Sequence, residues 1–260
     1  MRPQMRARRQ RGGGSSRTGW NVTRDFNGGA DGAVVSTVSG DAFDDIAGST
    51  LYDAANAYEG ARCAKLQIAN NVEGFGTWGG LIDFPQVVGK GQRFWLQLYI
   101  KMPSAFLIKT PTNGSLKYIR VRQKKVDATN AGFFDLQFKD DDQTSSEFRM
   151  IKEVQDVWQE FGADGVFTRD TWHRHTLCID VDNVAVANGG SGRVRFWQNG
   201  TLQVSSTTLT PLVNATDLMD SLYLFTYWNG FSPQAQHLFV DKIQMSTDSL
   251  PSWATGLDGV

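Results

Sequence analysis

From Trp20 onward, the apolar residues of this chain come in short runs, many of them alternating with polar residues, and each run is closed by Gly, Asn, Asp or Pro. Successive strand side chains point to opposite faces, whereas a helix repeats its apolar residues every three to four positions, so this rhythm describes strands joined by turns. In Phe94–Met102, the residues Leu96, Leu98, Ile100 and Met102 face one way while Trp95, Gln97, Tyr99 and Lys101 face the other. The run from Arg193 to Val204 reads as a hairpin, because Asn199-Gly200 supplies the two positive-φ positions that a tight type I′ turn requires. Further strands are expected at 62–69, 116–122, 132–139, 172–181, 221–228 and 236–245. Only 41–58 and 145–162 could host a helix. Within the second, Phe148, Ile151, Val154 and Trp158 recur at helical spacing, yet Phe148-Arg-Met-Ile151 suits a strand equally well.

About ten strands with few or no long helices must each bury one face, and two sheets packed face to face are the usual solution. The expected fold is therefore all-β: a two-sheet jelly-roll sandwich over residues 20–260, preceded by a basic arm at 1–19. A hydrophobic content of 40% and a charged content of 20% supply enough apolar surface for a core. The formal net charge of −1 hides an asymmetry. Arg2, Arg6, Arg8, Arg9, Arg11 and Arg17 precede the first acid, Asp25, and setting those arginines aside leaves 20 bases against 27 acids. Such an arm suits an anionic or acidic partner. Cys63 and Cys178 match no metal or redox spacing and are expected as small buried hydrophobes. Gly-Gly-Gly-Ser-Ser follows the early arginines where a signal peptide would have an apolar stretch, and no run of about 18 apolar residues suggests a membrane span.

The stretch from Tyr58 to Met245 resembles the concanavalin A-like lectin/glucanase superfamily, and more narrowly the polysaccharide-lyase-like sandwiches of marine bacteriophage genomes. The resemblance is carried by Tyr58-Glu-Gly-Ala-Arg62, Lys65-Leu-Gln-Ile68, Trp78-Gly-Gly80, Phe94-Trp95, Leu116-Lys-Tyr-Ile-Arg-Val-Arg122 and Trp172-His173. It continues through Val194-Arg-Phe-Trp-Gln-Asn-Gly200, Leu224-Phe-Thr-Tyr-Trp-Asn-Gly230 and Val240-Asp-Lys-Ile243. It implies a convex and a concave sheet, the concave one carrying sugar ligands.

No Glu-x-Asp-x-x-Glu string offers the paired carboxylates of a glycoside hydrolase. Asp140, Asp141 and Asp142 could offer oxygens to calcium, but they show no cage spacing and read as a solvated turn, so no cofactor is expected. A uronate lyase needs a cation or amide to neutralise the sugar carboxylate and a Tyr, His or Lys to take the C5 proton. Lys117, Tyr118, Arg120, Arg122, Gln137, His173, His175 and Tyr227 are of the right types, on strands that the superfamily places near the groove. By alternation Tyr118, Arg120 and Arg122 share one face, as do His173 and His175, and the arrangement expected is one shared groove. Trp228 and Asn229, at a strand end, are the aromatic and amide candidates for stacking on and binding a sugar; Trp95, Trp197, Tyr223 and Tyr227 are further aromatics read chiefly as core. The Arg-x-Glu-x-Arg and Gln-Ile-His strings of alginate lyases of this fold are missing.

The reading that takes in the arm is a bacteriophage virion protein, a capsid decoration, cement or fibre component joined to other virion proteins by its arginines, with a sandwich able to hold an anionic glycan. The alternative is a polysaccharide lyase acting on a uronate glycan. A genome-neutralising capsid protein is disfavoured, because six arginines make a short arm for nucleic acid. Self-association is compatible with either of the first two readings.

Overall fold

The computed structural model describes residues 19–35, 40–46, 49–74, 78–108, 115–139, 147–161 and 167–257. The arginines of the arm and Asp140, Asp141 and Asp142 lie outside the described residues. The strands are β1 (Asn21–Arg24), β2 (Asp45–Ile46), β3 (Thr50–Asp53), β4 (Cys63–Ile68), β5 (Gly80–Gly89), β6 (Arg93–Lys101), β7 (Ser115–Lys124) and β8 (Asn130–Lys139). They continue with β9 (Glu147–Lys152), β10 (Val157–Phe161), β11 (His173–Asp180), β12 (Arg193–Gln198), β13 (Thr201–Ser206), β14 (Leu218–Asn229) and β15 (Gln236–Ser246). Sheet A runs β13-β12-β11-β6-β15-β4-β3, with β1 also paired to β15, and sheet B runs β10-β9-β8-β7-β14-β5-β2. The named strands pair antiparallel and no α-helix is present among the described residues, so the two-sheet all-β sandwich read from the sequence is the fold.

Where period-two alternation is clear, the strands fall where expected. Asn199 and Gly200 at the β12–β13 turn have φ of 51° and 85°, as the Asn-Gly turn requires. Neither segment that could host a helix forms one: 41–58 contributes β2 and β3, and 147–161 forms β9, a short 3-10 turn at Glu153–Gln155, and β10. Long-range pairing decides the second case. β9 lies in register along β8, with Phe148 opposite Phe138 and Met150 opposite Leu136, so Phe148 and Met150 enter the core while Trp158 on β10 stays 52% exposed. β5 was not legible because Pro85 interrupts it; its register with β14 skips from Val88 to Asp83, and this irregularity accommodates a residue that cannot donate a ladder hydrogen bond.

The interior lies between the sheets, where Leu96, Leu98 and Ile100 of β6 meet Leu116 and Val121 of β7 and Leu136 and Phe138 of β8. Burying each such side chain is worth about 1.5–3 kcal/mol relative to leaving it in water. Phe148 of sheet B reaches Phe196 of sheet A at 5.2 Å between ring centroids. A smaller cluster covers the other face of sheet A, where Trp95, Cys178 and Trp197 pack beneath Ala254 and Leu257 near the C-terminus. Trp95 and Trp197 are therefore core. Both cysteines are buried and free, and burial pushes the Cys178 thiol up to about 12.

Candidate functional site

Residues directly opposite one another on antiparallel neighbours share a face, so the register tells what the outer face of sheet B presents. One row crosses Tyr227 of β14, Lys117 of β7, Gln137 of β8, Arg149 of β9 and Glu160 of β10; the next crosses Tyr223, Arg120, Asp135 and Ile151. Simple alternation would place Lys117 and Arg120 on opposite faces. The β7 register shifts between Lys117 and Ile119, so Tyr118 is an extra residue without an opposite number on β8, and the parity of the strand reverses there. Tyr118 and Ile119 both turn inward, and Lys117, Arg120 and Arg122 all turn outward. Tyr118 thus does not share a face with Arg120 and Arg122, because a bulge breaks the alternation on which that expectation rested.

A matching irregularity on β14 lies between Leu224 and Tyr227, where Phe225 adopts φ of 54°. Tyr227 lies outward above Lys117 and Trp228 inward, the faces that alternation from the inward Leu222 and Leu224 gives them. Trp228 is fully buried, stacks on Trp78 at 5.8 Å, and donates its Nε1–H to the Ile108 carbonyl at 3.0 Å. It is a core residue and offers no exposed face to a sugar. The backbone of Asn229 belongs to β14, but its side chain lies outside what is described.

The outer face of sheet B holds interleaved cations and acids. Lys117 Nζ lies 2.5 Å from Glu153 Oε1 and 3.4 Å from Asp135 Oδ2; Arg120 donates to Asp135 Oδ1 at 3.0 Å and to Glu153 Oε2 at 2.9 Å. The Asp135 side chain is fully buried, those of Lys117 and Arg120 are 8% and 4% exposed, and that of Glu153 is 33% exposed. Burial pushes the Asp135 carboxyl up from the ordinary range, while Arg120 and Lys117 pull it back. The cations also lie against aromatic faces: Arg120 sits 4.0 Å from the Phe133 centroid and Lys117 4.8 Å from that of Tyr227. Arg122 donates to both Asp220 oxygens, at 2.8 and 2.5 Å, and to the Tyr223 hydroxyl at 3.2 Å. Burial of Asp220 works against its charge, but the Arg122 hydrogen bonds and charge outweigh it and hold that carboxyl below the ordinary range. Gln137, buried between Lys117 and Arg149, leaves its Oε1 without a partner among the described residues.

The histidines are elsewhere. His173 and His175 do share a face, but it is the inner face of sheet A. His175 lies among Tyr118, Phe138, Phe148, Phe167 and Phe196, with Nδ1 3.1 Å from the Tyr118 hydroxyl and Nε2 without a partner among the described residues. Burial, and secondarily the charge of His173, hold it neutral well below the ordinary histidine range. His173 donates Nε2–H to the Thr168 carbonyl at 2.9 Å and accepts at Nδ1 from Gln198 at 3.0 Å and Asn199 at 3.1 Å. Arg120 and His175 therefore sit on opposite sheets, and the groove expected to join them does not form. Lys117, Arg120, Arg122, Gln137 and Tyr227 do come together. Sequence reasoning missed Asp135, Glu153 and Asp220; acids on neighbouring strands and on the turn after β9 carry no local signal of pairing. Among the described residues no three His, Cys, Asp or Glu side chains form a metal-ligand group. No helix among them is long and apolar enough to cross a membrane.

No protein-family model and no curated protein sequence matches the chain. Solved structures do match in fold. A variant of the alginate lyase Aly36B in complex with an alginate trisaccharide superposes with a TM-score of 0.60 at 13% identity, covering 86% of this chain and 97% of that one. The marine alginate lyase of Aplysia kurodai gives 0.58 at 9% identity, covering 88% and 98%. The endo-β-1,4-glucuronan lyase of the fungus Trichoderma reesei gives 0.53 at 12% identity, covering 76% and 87%. At these identities the likeness is one of fold: the chain is built as the same two-sheet sandwich as these polysaccharide lyases.

Proposed function

We propose that the chain is a polysaccharide lyase acting on an anionic, uronate-containing glycan, with the outer face of sheet B as its cleft. The observation that carries this reading is the row Tyr227, Lys117 and Gln137, opposed across three adjacent strands, with Arg120 beside it. β-Elimination requires the uronate carboxylate to be neutralised so that the C5 proton becomes acidic, and Lys117, Arg120 and the Gln137 amide supply the charge and donors for that. Tyr227, whose ring centroid lies 4.8 Å from Lys117 Nζ, is the residue that would carry the proton. Deprotonated, it takes hydrogen from C5; the electron pair forms the C4–C5 double bond as the C4–O4 bond breaks; the phenol then returns the proton to the departing oxygen. The lyase folds of the solved neighbours support this reading over a virion role, whose argument rests on an arm outside the described residues.

The test is to incubate the protein with alginate or glucuronan and follow the ultraviolet absorbance of unsaturated uronide ends. A rise is expected, and Tyr227→Phe should reduce it by about 100-fold or more with the fold retained. A second reading, a sandwich that binds such glycans without cutting them, is favoured by the pairing of Lys117, Arg120 and Arg122 to Asp135, Glu153 and Asp220. Binding with no rise in absorbance on either polymer would select it.

A further inference from the structure

We infer that the outer face of sheet A carries a second site for an anionic sugar, built from Tyr58, Tyr99, Trp172 and Arg174. These side chains and Asn199 line an open cavity of about 220 Å³, smaller than the ~300–1,000 Å³ of sites for drug-sized molecules and suited to one sugar ring. β11 divides its residues between the two faces: His173 and His175 go inward, while Trp172, just before the strand, and Arg174 stay on the outer side. Arg174 stands directly opposite Tyr99 of β6.

Tyr58, 42% exposed, stacks on Tyr99 at 3.8 Å with 20° between planes, and Trp172 stands edge-on to Tyr58 at 5.8 Å. The buried Asp241 holds the Tyr58 loop by accepting from the Tyr58 and Glu59 amides at 2.8 and 3.1 Å, and the Glu59 carboxylate is bound by Lys242. Lys101 adds a second cation 5.8 Å from the Trp172 centroid.

The contrast with sheet B identifies the ligand. In the cleft, Lys117, Arg120 and Arg122 are each bonded to a carboxylate of the chain, whereas the lining of this cavity has a guanidinium and no acid. Burial and the hydrogen bond with Tyr58 push the Tyr99 hydroxyl up to about 12, so at neutral pH it adds no negative charge. Aromatic faces receive the C–H side of a pyranose ring, and Arg174 offers the fork that a sugar carboxylate takes. A uronate residue satisfies both. Because it lies on the sheet opposite the cleft, the site would tether a polymer by one residue and raise its local concentration, whether or not the cleft cuts it.

The experiment titrates a uronate tetrasaccharide, and a neutral tetrasaccharide of the same linkage, into the full chain carrying Tyr227→Phe so that cleavage does not intervene. Binding is followed by calorimetry and by the indole N–H signals, with that of Trp172 assigned from Trp172→Phe. The Trp172 signal should shift with the uronate ligand, and Trp172→Ala and Arg174→Gln should each weaken that binding component about tenfold. Thermal unfolding of Arg174→Gln should be unchanged within the range of surface substitutions, and that of Trp172→Ala lowered only by the lost Tyr58 packing, with the two-state transition kept. Unshifted Trp172 signals, parental affinity in both variants, or equal binding of the neutral sugar would overturn the inference. Release of unsaturated ends, measured separately with Tyr227 intact, reports on the cleft alone, so failure of one idea is distinguishable from failure of the other.

Discussion

β7 and β11 carry similar text, polar residues spaced along an apolar strand, yet the molecule uses them in opposite ways. In β7 the bulge at Tyr118 turns Lys117, Arg120 and Arg122 to the outside of sheet B, where carboxylates and aromatic faces receive them. In β11 an unbroken register against β6 and β12 keeps His173 and His175 between the sheets. On β11 burial demands a neutral imidazole at His175; on β7 the nearly buried Arg120 guanidinium demands a counter-charge. Position relative to the core decides which demand applies. The difference separates a face whose charged side chains lie toward the outside of the sandwich from one whose polar side chains are enclosed in the core.

The largest effect should come from Asp135, which belongs to both worlds: it faces outward yet is fully buried beneath Lys117 and Arg120. Asp135→Ala leaves those cations with Glu153 alone and should cost about 3–5 kcal/mol in chemical denaturation. A loss under about 1 kcal/mol would show that this face is solvated and the cluster loose. Next, His175→Ala, which opens a cavity among four phenylalanines and strands the Tyr118 hydroxyl, should cost about 2–4 kcal/mol and leave glycan binding at the parental level. Weakened binding with unchanged stability would reverse the contrast.

A smaller effect separates the two regions by pH. The folded pKa of His175 lies below its ordinary 6.5, so the unfolded chain takes up a proton that the folded chain refuses. Its contribution is intact above 6.5 and is lost as pH falls below it, at about 1.4 kcal/mol per pH unit until the folded pKa is reached. Asp220, held below its ordinary 3.8, keeps its contribution down to that pH and loses it only as pH falls further, through the folded value. Denaturation curves should therefore show the interior weakening first, and His175→Gln should reduce the slope between pH 6.5 and 5. The smallest effect is at Glu153, one-third exposed on the turn between β9 and β10. Glu153→Gln releases Lys117 and Arg120 toward an incoming carboxylate, so affinity for a uronate oligosaccharide should rise a few-fold, with stability changed by about 1 kcal/mol or less. Lower affinity would mean that Glu153 orders the cations and does not compete with the ligand.

What the sequence determined alone was the sandwich and the strands β4, β6, β7, β8 and β11 to β15: period-two alternation in β6, the Asn199-Gly200 turn, and short apolar runs closed by turn residues are local properties. It also marked Lys117, Tyr118, Arg120, Arg122, Gln137, His173, His175 and Tyr227 as residues of one chemistry, of which Tyr118, His173 and His175 lie in the interior. Only the tertiary structure decided which face each side chain takes. A bulge adds one residue against a partner strand, and its place is set by the register of β7 with β8 and β14, not by the residues of β7 themselves. One such insertion moved Tyr118 into the core. The pairing of Arg120 with Asp135 and Glu153, and the burial of His175 against Tyr118, likewise depend on which strands become neighbours and which faces the sheets turn toward each other, because charge pairing and desolvation act through space and leave no period in the chain.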